Sequence, residues 1–267
     1  MYSRRELTDH ARSLGIRAGD LLMVHASVRA VGPVAGGADE IHLALKDAVG
    51  DTGSLFMYAS CPRHFDEVGR GEHTSDAEAE LLAKLPPFCP ETARCARDNG
   101  TLVEFLRTWP GTVANAHVVR FICRGPHARA LFAPHAWNYA YGVDSPLGRF
   151  VDGNGRILLL GSDHDQVTFL HHAEHIVDVP GKRVVRYQVP WLEDGQRTWR
   201  ACEEFDTSQP AHAAWPEGVF REITDAFIRE SGNAGGRIGD ASCVVLDARP
   251  LLAFALDVLR GHVRGRS

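Results

Sequence analysis

The chain has 267 residues, 44% apolar and 24% charged, enough apolar material for a sizeable core and too much for a mostly disordered polymer. Its formal net charge of −5 supplies no broad positive field, which argues against nucleic acid and leaves a neutral or cationic small molecule as the better-matched partner. The six cysteines (Cys61, Cys89, Cys95, Cys123, Cys202 and Cys243) lack CxxC spacing, so neither a zinc knuckle nor a disulfide framework is expected.

Helical spacing runs from Arg4 to Leu14 and stops at Gly15. Leu21 to His25 is a short apolar run and reads as a buried strand. After a glycine-containing loop, Asp39 is expected to cap a helix through Val49, in which Ile41, Leu45, Ala48 and Val49 repeat at helical spacing. Gly50-Asp51-Thr52-Gly53 ends it, and Ser54 to Ala59 forms a second strand. Strand, loop, helix and strand in this order build parallel sheets, so the expected class is α/β.

Residues 61–91 are polar and rich in His and Glu, and Pro86-Pro87 and Pro90 close them; they read as a long excursion over a site. Helix resumes near Leu102 to Arg107, and Val118 to Cys123 and Gly155 to Gly161 are further strands. Two strands, Arg183 to Val189 and Gln196 to Arg200, meet through Glu193-Asp194-Gly195, with Asp-Gly as the hairpin turn; the β appendage they start spans about 183–206. Pro216 to Arg229 and Pro250 to Arg260 carry amphipathic helical spacing. No run approaches the roughly 18 apolar residues of a membrane span, so a cytoplasmic protein without a membrane partner is expected, with one domain over 1–267.

The densest chemistry follows the Gly155 to Gly161 strand, where ligands bind in open α/β sheets. There Asp163-His164-Asp165-Gln166 leads to Thr168, His171, His172, Glu174 and His175. On a helix starting near Gln166, His171, Glu174 and His175 share one face, and His172 is turned about 100° away. An imidazole beside a carboxylate can deprotonate an amine near neutral pH. The same residues fit a solvated helix face equally well, and His171-x-x-Glu174-His175 also matches a zinc-peptidase arrangement that would need a third ligand.

A second cluster is His25-Ala26-Ser27 with the loop to Gly37, where glycines would let backbone amides approach a phosphate. It contains neither a Walker loop nor GxGxxG, and Arg29-Ala30-Val31-Gly32-Pro33-Val34 departs from RxxGxG/A at Val34. Acidic residues at Glu203, Glu204 and Asp206, and at Asp66, Glu67, Glu72 and Asp76 in the excursion, suit a polycation or a solvated surface.

Taken together, residues 23–40, 86–111, 141–149 and 156–187, with EEFDT and GRIGDAS, resemble the aminoglycoside 3-N-acetyltransferase family in order across nearly the whole chain. The resemblance implies an α/β/α sandwich on a mixed, mostly parallel sheet, with acetyl-CoA as co-substrate and no metal. It implies that His171, in the pattern Thr168-x-x-His171-x-Ala173-Glu174, is the general base, with Glu174 as its partner. It assigns His25, Ser27, Arg29, Ala30, Val31 and Thr168 to the cofactor, and Tyr58, Asp66, Glu204 and Asp206 to an aminoglycoside-like polycationic amine. The implied enzyme works as a monomer or homodimer and confers antibiotic resistance.

Two segments depart from the family pattern: Ser60-Cys61 stands where relatives carry an acidic pair, and Ala114 to Phe121 keeps only His117 of the usual motif. Direct transfer in a ternary complex is the expected mechanism, with donors near Ser27 holding the oxyanion. A zinc hydrolase using His171 and His175, and a homologue that binds CoA or aminoglycoside without catalysis, are the alternatives.

Overall fold

A computed structural model describes residues 1–206 and 215–264; Thr207 of the EEFDT stretch lies outside the described residues. Helix α1 (Arg4–Ser13) is fixed at its start by a reciprocal cap, in which the Ser3 hydroxyl accepts the Glu6 N–H and the Glu6 carboxylate accepts the Ser3 N–H. Strand β1 (Leu21–Ala26), short helix α2 (Val28–Val31), α3 (Asp39–Val49) and β2 (Ser54–Tyr58) follow as the predicted strand-loop-helix-strand unit. Asp39 does not cap α3: Ala38 holds that position, and Asp39 lies in the first turn, 3.4 Å from the His42 ring. Its charge still suits the helix N-terminus.

The excursion is not all loop, since Thr74 caps a helix, α4 (Ser75–Lys84). Then come α5 (Thr101–Thr108), β3 (Thr112–Ala114), β4 (Phe121–Arg124), α6 (Ala128–Leu131), α7 (Pro146–Asp152), β5 (Arg156–Leu160) and α8 (Leu170–Ile176). Strands β6 (Val184–Glu193) and β7 (Gln196–Phe205) make the hairpin, and α9 (Val219–Glu230), β8 (Gly236–Ile238), β9 (Ala241–Asp247) and α10 (Ala248–Arg264) complete the described chain. No helix among the described residues is long and apolar enough to cross a membrane.

Seven strands form one mixed sheet in the order β3-β4-β2-β1-β5-β9-β8. Parallel pairing is confined to β2-β1-β5 at its centre, and the pairs toward both edges are antiparallel. Alternation along the central strands sends Leu21 and Met23 of β1 to one face with Ile157 and Leu159 of β5, and Leu22 and Val24 to the other with Leu158 and Leu160. The first face packs on Phe150 of α7, Leu170 and Ala173 of α8, Ile223 of α9 and Leu251 of α10. The second packs on α1, α3 and α5 through Leu7, Leu45 and Leu106, which makes the expected α/β/α sandwich.

The predicted strand at 118–123 begins only at Phe121, because side chains claim the backbone ahead of it. Asn115 Oδ1 accepts the Phe121 N–H at 2.7 Å, and His117 Nδ1 accepts the Val119 N–H at 2.9 Å. Both hairpin strands extend to ten residues. Asp194 and Gly195 take φ of 51° and 77°, the left-handed pair that a two-residue turn between twisted strands requires. The hairpin does not hang free: the Gln188 N–H donates to Val68 O and the Phe88 N–H to Pro190 O on one edge, while the Tyr139 N–H donates to Glu203 O on the other. Covering both edges removes unpaired backbone from solvent.

Candidate active site

Strands β1, β2 and β5 run parallel, so their C-terminal ends fall together and bring His25, Tyr58 and Gly161 to one rim. A pocket of about 230 Å³ opens there, lined also by Ser27, Asn99 and Thr168. Gly161 is required by a close approach: it has φ +60°, and a β-carbon on it would come within 2.4 Å of the Ala30 Cβ. Burial holds His25 down to about 4, so its ring is neutral at pH 7, and its Nε2 has no partner among the described residues.

The expected cofactor segment is divided by burial. Arg29 is exposed, whereas the Val31 side chain is in the core and the Val31 carbonyl accepts the Asp240 N–H at 3.0 Å. Ala30 packs against Gly161. The Ser27 N–H donates to Leu160 O, and its hydroxyl makes no helix-capping bond. Of residues 27–31, Ser27 and Arg29 carry the polar side-chain groups, and neither lies in the core.

The spacing read from the sequence holds on α8, although this helix starts at Leu170, after a single turn at His164–Gln166. His171 Nδ1 lies 2.7 Å from Glu174 Oε2; a carboxylate accepts, so an N–H is on Nδ1, and in the neutral ring the lone pair is on Nε2. The Glu174 side chain is 4% exposed and that of His171 24%, so the carboxylate is shielded and the imidazole is reachable. The rings of Tyr141 and Phe220 flank His171 at 5.2 and 4.8 Å. The Tyr141 hydroxyl meets that of Tyr58 at 3.0 Å, which links this helix to the pocket rim. Burial pushes the Tyr58 phenol up to about 12 and that of Tyr141 well above its usual value, so both stay protonated donors at neutral pH.

His172 is buried, with its Nδ1 bonded to the Tyr141 carbonyl at 2.7 Å, and burial lowers its proton affinity. It braces the Tyr141 segment. His175 is also buried: its Nδ1 contacts His171 O at 2.8 Å and its Nε2 contacts Glu204 Oε1 at 2.5 Å. With both nitrogens on protein groups, His175 has no free donor for a metal shared with His171. The described residues bring metal-binding donors together elsewhere, at His64, Glu67 and His73.

The four residues assigned to the acceptor are dispersed. Tyr58 is on the pocket rim. Glu204 is 3% exposed and turned inward, accepting the Ala140 and Phe205 N–H groups as well as contacting His175. It orients α8 against the hairpin and is not at the surface. Asp206 is buried and paired with Arg183, and Asp66 pairs with Arg70 at 3.3 Å. Arg70, Arg183 and Asp206 line a groove of about 470 Å³ between the excursion and the hairpin. A cationic acceptor using Asp66 or Asp206 has to displace an arginine.

Sequence reasoning missed Tyr141, although it lies in the 141–149 stretch, and Lys182, whose Nζ donates to His175 O at 2.7 Å and caps the end of α8. Burial lowers the Lys182 ammonium to about 8. It also missed Arg120, which is fully buried without a carboxylate partner among the described residues: its guanidinium donates to the carbonyls of Ala59, Pro90, Ala93 and Arg94. That web ties the end of the excursion to the end of β2. The only local signal was a cation in an apolar run. The departed segment 114–121 thus has a structural task.

Comparisons with known proteins agree with this fold. The model of the aminoglycoside 3-N-acetyltransferase family matches residues 23–260. Aminoglycoside N(3)-acetyltransferase III of Pseudomonas aeruginosa is 40% identical over 98% of this chain and 94% of its own. Among solved structures, the AAC-IIIb binary with CoASH superposes with a TM-score of 0.91 at 37% identity, covering 98% of this chain and 97% of its own. AAC-VIa bound to sisomicin gives a TM-score of 0.90 at 33% identity over 98% of each chain. With the family model matching most of the chain and relatives similar over nearly its full length, this chain belongs to the aminoglycoside 3-N-acetyltransferase family.

Proposed function

We propose that the protein transfers the acetyl group of acetyl-CoA to an amine of an aminoglycoside, the 3-amine, and thereby confers resistance to the antibiotic. Family membership, the relative with CoASH and the relative bound to sisomicin support this reading. The observation that carries the mechanism is the 2.7 Å contact from His171 Nδ1 to shielded Glu174, which leaves Nε2 of a partly exposed imidazole as the basic atom.

In this reading Nε2 of His171 takes a proton from the acceptor amine as its nitrogen attacks the thioester carbonyl carbon. Glu174 stabilises the imidazolium that forms. The Ser27 hydroxyl, next to the pocket, stabilises the tetrahedral oxyanion, because the Ser27 N–H is already committed to Leu160. Collapse breaks the carbon–sulfur bond and releases CoA thiolate, which takes up the proton. His25 Nε2, Arg29 and Thr168 contact the cofactor; Tyr58, Asp66 and Asp206 receive the acceptor, with arginines giving way to its ammonium groups. One domain spanning 1–267 carries all of this as a monomer or homodimer, and free cysteines suit a cytoplasmic setting.

The test is thiol release and product mass with acetyl-CoA and a panel of 2-deoxystreptamine aminoglycosides. His171→Ala is expected to lower kcat by about 10² to 10⁴ while CoA binding persists. Undiminished turnover would remove His171 from the mechanism. Tight aminoglycoside binding by the wild type without CoA release would favour a non-catalytic homologue.

A further inference from the structure

The excursion between β2 and α4 holds a cluster that the reaction does not use. His64 Nδ1 and His73 Nε2 both lie against the same oxygen, Oε2 of Glu67, at 2.6 and 2.9 Å. The three donor atoms are all within 4.8 Å of one another. The Glu67 side chain is 18% exposed and that of His73 21%, so the cluster is recessed, with His64 at 41% on its open side. His64 adopts φ +78°, a left-handed backbone that a residue with a β-carbon holds only at a cost. The other oxygen of Glu67 is 3.6 Å from Arg63 Nε, and Arg63 is 81% exposed and free to swing away.

We propose that His64, Glu67 and His73 form a binding site for a divalent transition metal of the zinc class. Two imidazoles and one carboxylate are a three-ligand zinc set, and the fourth position is left to water. Mixed nitrogen and oxygen donors favour zinc or cobalt over calcium and magnesium, which take oxygen alone. Binding needs only small movement: each imidazole nitrogen now facing Glu67 would present its lone pair to the ion, with the N–H moved to the other ring nitrogen.

The ion would clamp residues 64–73 around the stretch that meets the hairpin through Val68 O and the Gln188 N–H. Asp66 lies inside that clamped stretch. In this proposal the ion staples the excursion through three protein ligands, and its occupancy is predicted to stiffen the wall that carries Asp66.

Tag-free protein, stripped with chelator and dialysed, would be titrated with Zn²⁺ alone by calorimetry and with Co²⁺ alone by visible absorption. One ion per chain at micromolar affinity or better is expected, with the strong visible band of four-coordinate cobalt and a higher Tm on loading. His73→Gln and Glu67→Gln should each weaken binding at least about tenfold and abolish the Tm rise, while their chelated forms keep the wild-type circular dichroism. If either variant fails to fold, His64→Gln replaces it. Wild-type protein that takes up no ion, or variants that bind as tightly as wild type, would overturn the proposal and leave the cluster as a hydrogen-bonded triad.

Discussion

At the scale of single residues, the proposed chemistry rests on one nitrogen of His171. Its tautomer is set by Glu174, whose carboxylate is shielded by the protein and receives the Nδ1–H. Glu174→Gln keeps the shape but removes the charge that stabilises imidazolium. The expected outcome is a fall in kcat of about 10² to 10⁴ with little change in the acetyl-CoA KM, read from thiol-release kinetics across pH. A kcat within twofold of wild type would sink the assignment. Helical spacing already put His171 and Glu174 on one face. It placed His175 there too, but its work depends on Glu204, 29 residues further on, and no local pattern announces that contact.

Among the elements, the strongest departure from sequence reasoning is around β4. An apolar run from Val118 to Cys123 reads as one strand, yet the backbone before Phe121 is taken by Asn115 and His117, and Arg120 turns inward to four carbonyls. Arg120→Met leaves those carbonyls without donors at about 1 kcal/mol or more each, so a loss on the order of 3 to 5 kcal/mol is expected in urea denaturation at neutral pH. Faster proteolysis near residues 90–95 should accompany it. A loss below about 1 kcal/mol would mean that water replaces the guanidinium. The hairpin turn was legible because Asp194-Gly195 satisfies a strictly local demand for positive φ. Strand β9 was not, since its continuous apolar run is only Cys243 to Leu246 and its pairing with β5 is decided across the fold.

The molecule as a whole stores a sensitivity to acid in its buried imidazoles. His117 is fully buried, accepts the Val119 N–H at Nδ1 and donates from Nε2 to Trp137 O at 2.8 Å; burial lowers it from 6.5 to about 4. Between those values the unfolded chain holds a proton that the native state refuses, so stability is full above pH 6.5 and declines as pH falls toward 4. This one group accounts for roughly 3 kcal/mol at most, and His25, lowered to about 4 by burial, acts in the same direction. Urea midpoints between pH 7.5 and 4.5 should fall steeply for wild type and less steeply for His117→Gln. Identical slopes would exclude His117 as a source of the acid sensitivity.

Sequence alone determined the α/β class, the first strand-helix-strand unit, the helical face of His171 and Glu174, and the hairpin, since periodicity and turn chemistry act over a few residues. Family order then pointed to the reaction. Tertiary structure decided which side chains reach solvent: Glu204 and Asp206 turn inward, Asp66 is held by Arg70, and Val31, expected at the cofactor, lies in the core. It also limited parallel pairing to three strands and thereby placed the pocket at their shared rim. The physical reason is that burial and pairing of polar groups are settled by partners tens of residues away, which no local window contains.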